Sequence, residues 1–194
     1  MGDGLWVRKD GLEKWARHSF ASSSATRIAI ATLATFASLP VFGADLTVKV
    51  QIPTLNVAEY HRPYVAIWIE NPDQSIAKNL AVWYQTEKKK EDGTQWLKDL
   101  RQWWRRGGRE QTMPIDGVTG ATRPVGEHTL HFKGTDKQIA GLANGNYNLV
   151  VELVREVGGR ELLRVPFVWP GTQSQHATAA GKTEIGTITL DIQQ

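Results

Sequence analysis

Residues 116–124 read DGVTGATRP, placing one carboxylate (Asp116), two hydroxyls (Thr119 and Thr122) and one guanidinium (Arg123) within nine positions of otherwise small residues. A threonine hydroxyl is a poor nucleophile at its own pKa, so chemistry here requires activation by another group. Two readings compete. Asp116-Gly117 is a strong turn dipeptide and Gly120 can supply a positive φ, which together describe a plain connection between strands. A hydroxyl held out for something to be attached is favoured by the same features: an exposed loop and small neighbours such as Gly120 and Ala121.

The other groups able to do chemistry form no constellation. The chain has no cysteine, which excludes a disulfide framework, a thiolate metal site and a thiol nucleophile. His128 and His131 are three apart in an alternating stretch, so they are expected on opposite faces of a strand, and His61 and His176 are scattered. No metal site is expected from them. Neither a Gly-x-Ser-x-Gly elbow nor a glycine-rich phosphate loop occurs.

The formal charge of +3 and the pI near 9.2 suggest an anionic partner at first sight. Five basic and three acidic residues lie in 1–44, however, and the rest of the chain has 18 basic against 17 acidic groups. A nearly neutral body lacks the phosphate-neutralising surplus of a general nucleic-acid binder, so no nucleic acid is expected as a partner.

Residues 1–44 read as an export signal. A basic segment ending at Arg27 precedes the apolar run IAIATLATFASL (28–39), then Pro40 and the small-residue exit Gly43-Ala44. The run is shorter than the roughly 20 apolar residues that span a bilayer. Cleavage is expected after Ala44 or Gly43, with an uncleaved anchor as the alternative, and the body of the protein is expected in the periplasm.

From Asp45 onward the hydrophobic period is mostly two. LTVKVQI (46–52), YVAIWIE (64–70), NLAVWYQ (79–85), HTLHFK (128–133), YNLVVELVRE (147–156), ELLRVPFVW (161–169) and EIGTITLDI (184–192) read as strands. YVAIWIE is apolar on both faces, as a central strand requires, and Asn71-Pro72-Asp73 marks a turn. TQSQHATAAGK (172–182) is small and polar and is expected to be a loop. These elements predict one all-β domain over 45–194: an immunoglobulin-like antiparallel β-sandwich with one short helical insertion.

The insertion is QTEKKKEDGTQWLKDLRQWWRRGGREQTMP (85–114). Trp96 or Leu97, Leu100, and Trp103 or Trp104 recur at three- and four-residue spacing, and Gly107-Gly108 ends the pattern. Residues 87–109 hold eight basic and four acidic groups. The stripe reads most simply as packing against the sandwich, with solvated cations. The alternatives are single-strand nucleic-acid stacking, or a face for a planar phosphorylated cofactor.

DGVTGAT matches, at every defined position, the signature Asp-x-x-Ser/Thr-Gly-Ala-Ser/Thr of covalent flavin attachment. The signature is found in flavin-carrying subunits of the sodium-translocating NADH:quinone oxidoreductase and of Rnf-type complexes. Chance coincidence is on the order of once in a thousand chains of this length. The body of the chain, through WIE (68–70), DLRQWW (99–104), VTGATRP and GNYNLVVELVRE, also resembles a family of predicted periplasmic proteins, domain of unknown function 2271, many of whose members carry that motif. HTLHFKGTDKQIAGLANGNYNLVVELVRE is further similar to the immunoglobulin-like domain of flagellar hook-capping proteins, a likeness that concerns fold alone.

The resemblance implies that Thr122 carries FMN through a phosphoester, delivered from FAD by a flavin transferase that reads Asp116, Gly117, Thr119, Gly120 and Ala121. It places the ester on Thr122, after Gly-Ala, and not on Thr119. The chain would then be an electron carrier and a transferase substrate more than an enzyme in its own right. Its partners would be membrane redox proteins, for which the resemblance suggests a PepSY-type domain. From proximity in sequence, Arg123, Arg105, Arg106 and Arg109 are expected to screen the phosphate, and Trp103 or Trp104 to stack on the flavin ring. The rival expectation is a non-redox interaction or scaffold module, in which DGVTGATRP is only a loop.

Overall fold

The structure is a computed structural model that describes residues 43–86 and 93–194. Residues 1–42, with most of the expected export leader, and 87–92, with the charge run of the insertion, lie outside the described residues.

β1 (Asp45–Ile52) shows how the sequence pattern becomes a layer. Leu46, Val48, Val50 and Ile52 are buried while Thr47, Lys49 and Gln51 face outward, because successive strand side chains alternate between faces. β1 lies between β5 (Gly126–Phe132) and β9 (Thr187–Gln193), and β8 (Gln175–Ala180) completes a sheet of order β5-β1-β9-β8. The second sheet has the order β4-β3-β2-β6-β7, from β2 (Tyr64–Glu70), β3 (Ile76–Tyr84), β4 (Thr119–Ala121), β6 (Gly145–Val154) and β7 (Arg160–Trp169). Val48, Val50, Ile188 and Leu190 of the first sheet share one core with Val65, Ile67, Leu149 and Val151 of the second. A two-sheet β-sandwich results.

All seven expected strands form, and two more appear. β8 arises within 172–182, which was expected to be a loop. Small residues hid it: Ala177 and Ala179 are only half-buried, so a weak alternation suffices on an edge paired to β9. β4 is the other addition, and it runs parallel to β3. The second sheet is therefore mixed, where a purely antiparallel one was expected.

A parallel neighbour requires a crossover, and the insertion supplies it. A 3₁₀ helix (Gly93–Asp99) leads into α1 (Arg101–Arg106), which Gly107 closes by donating its N–H to Trp103 O. Leu97, Leu100 and Trp103 are buried with Ala66, Trp68, Val82, Tyr84, Val118 and Val150 in a second core on the outer face of the second sheet. Leu97 lies in the 3₁₀ helix, Leu100 at its junction with α1 and Trp103 inside α1, so the buried stripe runs through both helical turns. A leucine so enclosed contributes about 1.5–3 kcal/mol, and this added layer explains why β2 is apolar on both faces.

Candidate functional site

The 115–122 segment is tied down along most of its length. Val118 and Thr119 donate their N–H groups to Ile115 O at 3.1 and 2.9 Å, and Val82 N–H donates to Val118 O at 2.9 Å. Gly117 has φ +70°, a left-handed conformation in which a side chain is strained, and its carbonyl accepts from Gln138 Nε2 at 2.7 Å. Asp116 pairs with Lys137 at 3.0 Å on the surface. Thr119, Gly120 and Ala121 then run beside Val82, Trp83 and Tyr84, and Thr122 N–H reaches Tyr84 O at 3.2 Å.

Gly120 serves differently from the expectation. It does not have a positive φ; it lies in β4, where an added Cβ would stand 3.2 Å from Trp83 Cδ1. Glycine is favoured there by close approach to an indole, not by a turn.

The two hydroxyls are in opposite situations. Thr119 Oγ1 accepts from Ile115 N–H at 2.8 Å and so closes the turn on itself. The half-buried Thr122 makes no side-chain hydrogen bond among the described residues. Beside it, Arg123 places its guanidinium 5.4 Å from the Trp83 ring centroid, and His128 meets the same ring edge-on at 5.7 Å.

Thr122 and Ala121 form one wall of a cleft of about 390 Å³, within the roughly 300–1,000 Å³ typical of small-molecule sites. Its other walls are Tyr60, His61 and Arg62 on the approach to β2, Tyr64 at its start, Gln85 and Thr86 after β3, and Glu156 after β6. Topology accounts for this convergence. β2 is antiparallel to β3 and β6, and β4 is parallel to β3, so one sheet end collects the start of β2 and the ends of the other three. His61 is held by Glu59 at 2.9 Å and Glu156 at 3.5 Å. Burial pushes the Tyr60 phenol above its ordinary pKa against the opposing pull of Arg155 and Arg62.

Several residues expected near Thr122 lie elsewhere. Trp103 is fully buried, and its indole N–H donates to Asn79 Oδ1 at 2.9 Å, so it has no face to offer a flavin. Trp104 packs against the second core and lines a separate groove with Lys98, Arg101, Arg105 and Arg160. Arg106 binds Gln74 at 2.5 Å, beyond the opposite end of β3, whose length of nine residues separates the two places by about 26 Å. Arg105 is engaged by Gln102 and by Arg101 O, and Arg109 by Glu110. None of Arg105, Arg106 and Arg109 lines the cleft that Thr122 lines, and Arg123 is the neighbour of Thr122 in the chain. His128 and His131 take opposite faces of β5, as expected: His131 bonds Thr47, while His128 contacts Trp83.

The 60–64 segment, YHRPY, was not among the residues expected at the site. Its signal is a density of aromatic and cationic side chains. No local pattern, however, connects Tyr60, Arg62 or Tyr64 to a threonine so far along the chain.

A family model described as "Predicted periplasmic protein (DUF2271)" matches residues 45–187. No curated protein and no solved structure matches the chain.

Proposed function

Because the chain belongs to the DUF2271 family of predicted periplasmic proteins, we propose that it works outside the cytoplasm as an electron carrier, with FMN tethered by a phosphoester to Thr122. One observation carries this reading. Of the two motif hydroxyls, Thr119 Oγ1 is occupied by Ile115 N–H, whereas that of Thr122 has no partner among the described residues and lines a cleft. A hydroxyl without a hydrogen bond to give up is the less costly of the two to modify.

The edge position of β4 adds support. Among the described residues its one strand neighbour is β3, so β4 stands at the edge of the sheet, where a modifying enzyme can approach. In the attachment step the phosphoanhydride of FAD breaks, an ester forms between Thr122 Oγ1 and the FMN phosphorus, AMP leaves, and a base of the transferase takes the hydroxyl proton. Once attached, the flavin supplies the redox chemistry, and the protein holds and tunes it. On this reading Arg123 is the cation adjoining the ester in the chain, and the electron partners are membrane redox proteins.

The test is co-expression with a flavin transferase, followed by a denaturing gel viewed for flavin fluorescence. Wild type should give a fluorescent band and Thr122→Ala a dark one. A dark wild-type band rejects the reading in favour of a non-redox module, and a band that survives Thr122→Ala rejects the assignment to Thr122.

A further inference from the structure

The cleft wall opposite Thr122 combines aromatic rings with a cation. Tyr60 and Tyr64 bring two phenol rings and Arg62 one exposed guanidinium to the hollow that Ala121 and Thr122 also line. A second hollow of about 240 Å³ adjoins it, and Tyr64, Gln85 and Glu156 belong to both. We infer that Tyr60 and Tyr64 are the positioning residues for the ring system carried on Thr122, and that Arg62 is the cation that sets its potential. This inference rests on the attachment reading above.

The tryptophans named for the flavin, and the one beside Thr122, do not compete for that role. Trp83 is 3% exposed, with Arg123 over its face and His128 at its edge. Trp103 is enclosed, and Trp104 belongs to a different groove. Tyr60, by contrast, is 37% exposed, and its phenol, like any tyrosine's, is neutral at physiological pH. A neutral phenol ring is a suitable surface for a planar heteroaromatic, by offset or edge contact.

Arg62 acts by charge. Reduction adds electron density to the ring, so a cation in a partly shielded cleft stabilises the reduced form more than the oxidised one and raises the midpoint potential. His61 is less suited to this, because Glu59 and Glu156 already hold it.

The experiment uses the full chain after co-expression with a flavin transferase, with native fluorescence normalised to flavin absorbance. Tyrosine contact should quench the native protein relative to the same sample in denaturant. Tyr60→Leu and Tyr64→Leu should each relieve that quenching by roughly two- to tenfold, the population shift that loss of one aromatic contact produces. Arg62→Ala should lower the midpoint potential, and Arg62→Lys should restore most of it. Trp104→Leu should leave both readouts at their wild-type values. Tyr64 also packs against the second core, so if Tyr64→Leu fails to fold, the more exposed Tyr60 and Arg62 variants decide the matter. A fluorescent band on the denaturing gel with unchanged native emission in Tyr60→Leu and an unchanged potential in Arg62→Ala overturns this inference while leaving the attachment intact. A dark wild-type band overturns both.

Discussion

At the scale of single residues, the two threonines of DGVTGATRP differ in what holds their hydroxyls. Thr119 holds a turn together through the Ile115 N–H, and the Thr122 hydroxyl binds nothing among the described residues. In unmodified protein, Thr119→Val should therefore lower the unfolding free energy by about 1–3 kcal/mol, the cost of stranding a shielded donor, and Thr119→Ser should recover most of it. Thr122→Val should stay within about 0.5 kcal/mol of wild type. Urea titrations of the three variants check this. A larger loss for Thr122→Val than for Thr119→Val would reverse the assignment of the two hydroxyls.

At the scale of elements, the crossover depends on a buried carboxylate. α1 has six residues and no side-chain cap at Leu100. Instead Glu152, fully buried in β6, accepts the N–H groups of Gln102 and Trp103 at 3.0 and 2.8 Å, and Arg160 Nε at 2.5 Å. The carboxylate thus satisfies two free donors at a helix start and is neutralised from the sheet edge. Glu152→Ala should destabilise the protein by about 3–5 kcal/mol and speed amide exchange across Arg101–Arg106. Glu110→Ala, at an exposed position, is the control. Equal effects of the two substitutions would show that Glu152 does not anchor the crossover.

At the scale of the molecule, Glu161 links the two sheets. It extends from β7 to accept the N–H groups of Lys182, Thr183, Glu184 and Ile185, in the connection between β8 and β9. Burial alone would raise its pKa, but these four donors bring it below the ordinary 4.5. The folded state therefore binds this proton less tightly than the unfolded chain does. The stabilisation is complete above the unfolded value of 4.5 and is lost as pH falls through the lower folded value. Glu161→Gln should be less stable than wild type near neutral pH, and the gap should close under acid conditions. Thermal melts of both proteins across that range measure it, and a gap independent of pH would exclude the linkage.

Much of this molecule was legible without its fold. Period-two alternation located seven strands, because a strand with one buried face must alternate, and YVAIWIE declared its central place by being apolar on both sides. The run DGVTGAT was equally plain, since it is contiguous in the chain. What the sequence left undecided depended on contacts across the chain. β8 is an edge strand of small residues whose partner defines it, and β4 is three residues long and pairs through a crossover. Proximity in sequence pointed to Trp103 and Arg106 beside Thr122, whereas α1 turns Trp103 into the outer core and carries Arg106 to the far end of β3. The tyrosines and arginine that share the cleft with Thr122 come from the start of β2 and the segment before it. Sheet order alone brings them there: antiparallel pairing gathers strand ends that are distant in the chain, and no local pattern of residues records that meeting.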